Sequence, residues 1–119
     1  MIIEFDVFSG RPNPTWSLSE EEVVELLAAF KDLPLASKPC QETGIGYRGF
    51  VILNPRREGG LAPRIRVCGG IIAMTGDDEQ LYQDVHGLEN RLLLQASQHG
   101  YVTIVNNVLE GKFGTESDK

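Results

Sequence analysis

Tyr47-Arg-Gly-Phe-Val-Ile-Leu-Asn54 and Arg64-Ile-Arg-Val-Cys-Gly-Gly-Ile71 are two short runs rich in β-branched residues, separated by Asn54-Pro55 and the pair Gly59-Gly60. Apolar runs of this length, punctuated by turn residues, predict a β-hairpin. Setting Asn54 opposite Arg64 puts Val51 and Leu53 on one face with Ile65 and Val67, and Gly49 opposite Gly69. Every position on that face is then apolar or glycine. The opposite face carries Arg48, Phe50 and Ile52 from the first run and Arg64, Arg66 and Cys68 from the second.

Outward from the hairpin, residues 2–8 alternate, with Ile3, Phe5 and Val7 on one side and Glu4 and Asp6 on the other, the period of a half-buried strand. Ser19 followed by Glu20, Glu21 and Glu22 predicts a capping box, and Val23, Leu26, Leu27 and Phe30 form the apolar stripe of a helix that ends before Pro34. Thr75 or Gly76 opens a second helical pattern with the stripe Leu81, Val85, Leu88, Leu92 and Ala96, acids at 77–79 in its first turn and Gly100 as its stop. Residues 101–105 are rich in β-branched side chains and predict a final strand, with a helical turn over 106–109 as the competing assignment. The order strand, helix, strand, strand, helix, strand predicts an α+β domain: a small antiparallel sheet with two helices on one face, in the ferredoxin-like β-α-β-β-α-β order. One domain spans 1–114, and 115–119 is expected to be a frayed tail.

The composition agrees with this. The chain has 119 residues, 41% hydrophobic and 24% charged, which fits one globular domain. No apolar run approaches the roughly 18 residues of a membrane helix, so no membrane role is expected. A formal charge of −6 disfavours nucleic acid as a partner. The first residues, Met-Ile-Ile-Glu-Phe-Asp, lack the pattern of a secretory leader, and a cytoplasmic location is expected. Cys40 and Cys68 are too few for a disulfide framework or a cysteine-rich zinc site and are expected to be free thiols. No metal site and no cofactor are expected.

Positive charge gathers in the hairpin, where Arg48, Arg56, Arg57, Arg64 and Arg66 stand against one acid, Glu58. Planar guanidinium groups suit carboxylate and phosphate geometry, so an anionic ligand or partner is expected there. Phe8, Phe50 and Ile52 among those charges form an apolar centre with a polar rim, the anatomy of an interface between copies or with another protein. On this reading Phe50→Asp dissociates an oligomer. Gly44-x-Gly46-x-x-Gly49 matches a nucleotide-binding glycine pattern, but it follows a loop and opens a strand instead of a helix, which excludes the dinucleotide reading.

Arg11-Pro-Asn13-Pro-Thr-Trp16 is a stiff loop that presents Arg11, Asn13 and the single tryptophan. With Arg48, Arg64 and Arg66 these make the expected ligand-binding set. The segment Phe8-Ser-Gly-Arg-Pro-Asn-Pro-Thr-Trp16 resembles one found in small uncharacterised bacterial proteins. The resemblance covers nine residues and a following acidic helix, and it implies no activity and no catalytic residue.

The expected function is a cytoplasmic binding module that uses the open sheet face and the arginine-rich hairpin. Two alternatives follow from other residues. A small enzyme acting on an anionic metabolite would draw acid-base groups from Glu4, Asp6, His86 or His99 into one pocket. An acidic antagonist of a basic protein, in the manner of immunity proteins, would present Glu20, Glu21, Glu22 and Glu25.

Overall fold

The computed structural model describes residues 1–8, 10–40, 47–76 and 78–110. The expected tail, 115–119, lies outside the described residues, as do Gly44, Gly46 and Asp77. The elements run β1 (Ile2–Phe5), β2 (Thr15–Ser17), α1 (Glu20–Ala28), β3 (Phe50–Leu53), β4 (Arg64–Cys68), β5 (Ile71–Thr75), β6 (Glu79–Gln83), α2 (Leu88–Gln98) and α3 (Val102–Leu109). All strand pairs are antiparallel and the sheet order is β2-β1-β3-β4-β5-β6. The molecule is an α+β protein, but six strands in this order do not make the ferredoxin-like arrangement.

Two glycines account for much of that difference. Gly69 and Gly70 both adopt positive φ, 57° and 83°, as a tight two-residue turn requires, and they send the chain back as β5 beside β4. The apolar residues 71–75 therefore form a strand, and β6 follows where the helical stripe was expected to begin. The second helix starts only at Leu88, where the Asp84 carboxylate accepts hydrogen bonds from the backbone N–H groups of Leu88 and Glu89 at 2.6 and 2.9 Å. Residues 102–109 are helical, so the expected last strand is absent and the competing assignment is extended by a turn. The first helix is as expected, with the capping box between Ser19 and Glu22 in place.

The hairpin of β3 and β4 forms, but its register differs by one residue. Leu53, not Asn54, faces Arg64, and Phe50 faces Val67. A one-residue slip exchanges the two faces of a strand. Phe50 and Ile52 therefore lie with Ile3, Phe5, Ile65 and Val67 under the helices, packed against Leu26, Leu92 and Ala96. Both are 0% exposed, which removes Phe50 and Ile52 from any interface. Phe50 stacks on Phe5 with ring centroids 4.7 Å apart. Phe8, the third residue of that expected patch, is half-buried against the same core.

Asn54 organises the turn after β3, with its backbone N–H donating to the Pro63 carbonyl at 2.8 Å. Its side chain accepts from the Glu58 N–H at 2.9 Å and donates to the Glu58 carbonyl at 3.2 Å, and it is fully buried. Cys40 and Cys68 are not free thiols: they are joined as a disulfide with Cα atoms 5.7 Å apart, inside the range such a bond requires. Their separation of 28 residues hides this from the sequence, because only the fold brings residue 40 across the sheet.

Candidate functional site

The face of the sheet turned away from the helices carries Glu4 and Asp6 at one side and Arg64, Arg66, Cys68, Ile71, Ala73 and Thr75 towards the other. Arg48 joins them through a local break in alternation. The Asp6 N–H donates to the Gly49 carbonyl at 3.0 Å while the Arg48 N–H donates to the Asp6 carbonyl at 2.8 Å, so two residues stand opposite one. This is a β-bulge, which re-aims the side chain of the bulged strand. Only glycine fits its second position: Gly49 has φ +89°, and a Cβ there would stand 2.1 Å from the Val67 carbonyl oxygen.

Asp6 is the hub of the resulting network. Its Oδ1 accepts from Arg48 Nη2 at 2.8 Å and Nε at 3.2 Å, and its Oδ2 accepts from Arg66 Nη1 at 3.0 Å. Arg48 Nη2 also donates to the Phe8 carbonyl, and Arg66 Nη1 to the Arg48 carbonyl, so the guanidinium groups bind backbone and carboxylate together. Burial raises the pKa of Asp6, but the hydrogen bonds and charges of Arg48 and Arg66 outweigh it and hold the carboxyl below the usual carboxylate range. Asp6 therefore stays ionised as the counter-charge of two arginines.

Asn13 closes the network from the Pro-rich loop. Its Oδ1 accepts from the N–H groups of Val7 and Phe8 at 3.0 and 2.8 Å, and its Nδ2 donates to Glu4 at 2.8 Å and Asp6 at 3.1 Å. Those four bonds use the full capacity of an amide. Asn13 thus shapes the loop and has none left for a ligand. Trp16 is likewise a core residue: it is 7% exposed, its Nε1 donates to Gln95 at 2.8 Å, and its ring stacks with His99 and Tyr101. Its indole reaches the helix side of the sheet, away from the arginines. Arg11 is exposed, with its guanidinium carbon 3.8 Å from the centre of the Phe8 ring.

The remaining expected acid-base groups are not assembled. His99 stands on the helix side, 3.0 Å from Glu22, whose carboxyl is held below its ordinary range by the Ser19 backbone N–H against opposing burial, with help from His99. The His86 ring lies 2.7 Å from the Lys31 carbonyl. Among the described residues no cluster of histidine, cysteine and carboxylate side chains is arranged to hold a metal. On the acidic helix, Glu20, Glu21 and Glu25 are exposed. Sequence reasoning missed Tyr47, whose hydroxyl donates to Glu89; burial and that carboxylate push its pKa well up, so it remains a neutral donor.

Beside the Asp6 network the helix-free face holds a cavity of about 160 Å³. Arg64, Arg66, Ala73 and Ile71 line it from β4 and β5, Glu79 from β6, and Pro39 with the Cys40–Cys68 pair closes one side. Arg66 is 26% exposed on its side chain and already bound to Asp6. Arg64 is exposed, and its side chain makes no hydrogen bond or ion pair with a described residue. The segment that supplies Pro39 and Cys40 arrives from the edge of the sheet, where Leu35 bridges Tyr82 of β6.

No family model, no curated protein and no solved structure matches this chain. No described helix is long and apolar enough to cross a membrane.

Proposed function

We propose that the protein is a binding module for a small organic anion, which it takes into the arginine-lined cavity on the helix-free face of the sheet. The observation that carries this reading is Arg64, an exposed guanidinium with no described partner at the wall of a cavity. Arg66 adds a second positive group whose position is held by Asp6. Two planar forks at one site suit a carboxylate.

Size and charge narrow the ligand class. A cavity of about 160 Å³ is below the roughly 300–1,000 Å³ of sites for drug-sized molecules, which favours a compact metabolite. Glu79 on the cavity wall disfavours a polyphosphate and favours one or two carboxylates with a hydrogen-bond donor elsewhere. The proposal sets the protein in the cytoplasm and gives Arg64 the part of ligand-orienting residue. Neither acid-base catalysis nor an antagonist role has comparable support, because the histidines and the exposed acids of α1 lie away from the cavity.

The test is thermal unfolding with succinate and with inorganic phosphate, on the parent and on Arg64→Ala. Ligand at about 100 times its Kd stabilises the folded state by roughly 2.7 kcal/mol, several degrees in Tm for a domain of this size. A rise with succinate in the parent that disappears in Arg64→Ala is the expected result. No rise with either anion overturns the reading.

A further inference from the structure

We propose that Cys40 and Cys68 form a redox switch that sets the affinity of the arginine-lined cavity, an inference that rests on the binding reading above. Residues 34–40 are attached at their two ends. At the β6 edge, the Gln83 N–H donates to the Pro34 carbonyl at 2.8 Å and the Ala36 N–H to the Leu81 carbonyl at 2.9 Å. The Gln83 side chain adds a bond to the Leu35 carbonyl at 2.9 Å. At the other end, Cys40 is bonded to Cys68 of β4.

Between those attachments the chain passes β5 on the helix-free face. No backbone hydrogen bond to another described residue holds Ser37, Lys38 or Pro39. Their position therefore depends on the sulfur link more than on the sheet. Pro39 and both sulfur-bearing residues line the cavity, so the same link that anchors the segment also builds one wall of the site. Arg64 and Arg66, four and two residues before Cys68 on the same strand face, stay where β4 puts them in either state.

The chemistry is thiol–disulfide exchange with a dithiol reductant. One thiolate of the reductant attacks a sulfur of the pair and displaces the other cysteine as a thiolate, giving a mixed disulfide. The second reductant thiol then closes its own disulfide and releases the remaining cysteine. Two electrons and two protons pass to Cys40 and Cys68, and the reductant leaves oxidised. A disulfide oxidant reverses the step. In the cytoplasm, where thiols are kept reduced, a disulfide of this kind is typically transient and sensing. Oxidised protein has a fixed wall and binds tightly, whereas reduced protein must order that wall when the anion enters, at a cost in affinity.

The experiment compares oxidised protein, the same protein reduced with dithiothreitol, and Cys40→Ser. It reads succinate affinity by calorimetry and hydrogen exchange at the Ala36 and Gln83 amides, whose bonds join the segment to β6. Reduction is expected to speed exchange at both amides and to weaken succinate binding about tenfold. Cys40→Ser should match the reduced protein in either buffer. Equal succinate affinity in the oxidised and reduced forms overturns the switch and leaves the binding reading standing. Faster exchange on reduction with no succinate binding in any form overturns the binding reading, and the switch with it. A pair that dithiothreitol leaves intact in the folded protein also overturns the proposal.

Discussion

Arg48 Nη2 lies 2.8 Å from Asp6 Oδ1, on the face of the sheet that strict alternation from Phe50 and Ile52 would deny it. The bulge at Arg48 and Gly49 makes the meeting possible, and the meeting fixes the second arginine, since Arg66 occupies the other carboxylate oxygen. Sheet geometry, loop position and the charge beside the cavity thus converge on one buried carboxylate.

Gly49→Ala should be among the most damaging single-methyl additions in the chain. The new Cβ would stand 2.1 Å from the Val67 carbonyl oxygen and 2.8 Å from the Cys68 Cβ, at a φ of +89°. Backbone strain and overpacking together are expected to cost about 3 kcal/mol or more, read as a fall in the urea midpoint. A variant with the parent's midpoint would mean that the strands do not approach each other as described.

Asp6→Asn keeps the shape of the hub and removes its charge, leaving Arg48 and Arg66 uncompensated. A loss of about 3 kcal/mol at neutral pH is expected. The pH dependence has a definite sign. The folded-state pKa of Asp6 lies below its unfolded value, so its contribution is complete above the unfolded value near ~3.9 and is lost as pH falls through the folded one. The gap between parent and variant, followed by urea unfolding from neutral to acid pH, should therefore narrow only below about pH 4. A gap that narrows between neutral pH and there would point to a different group.

Phe50→Asp separates the two registers of the central hairpin. With Phe50 fully buried and stacked on Phe5, a carboxylate in its place has no partner and the variant is expected not to fold. The far-ultraviolet circular dichroism of a native-like sheet, together with a changed mass in solution, would instead support an exposed apolar patch.

What the sequence disclosed follows from how local the determinants are. The capping box of α1, the alternation of β1 and the existence of the β3–β4 hairpin are set by neighbouring residues, and all were readable. The hairpin register was not, because Phe50/Ile52 and Val51/Leu53 are equally apolar and no neighbouring residue marks whether Asn54 stands opposite Arg64 or Pro63. Arg48 was assigned to the correct face through two offsetting departures, the register shift and the bulge. The turn at Gly69-Gly70 did have a local signal, a glycine pair between apolar runs, which the helical spacing of Leu81 to Ala96 overshadowed. The Cys40–Cys68 pair and the four-way commitment of Asn13 depend on tertiary placement, and no spacing announces them.

The pairing of Pro34–Ala36 along β6 also bears on how these molecules meet one another. A sheet ends in a row of unsatisfied backbone groups that can recruit a strand from a neighbour. Here one margin is occupied by the chain's own segment at Leu35, and the other is β2, a strand of only three residues. Neither margin offers a long template for edge-to-edge polymerisation. Severing Leu35 from Tyr82, by proline substitution at Gln83 for example, would expose the first of them, turning a contact within the chain into an aggregation site.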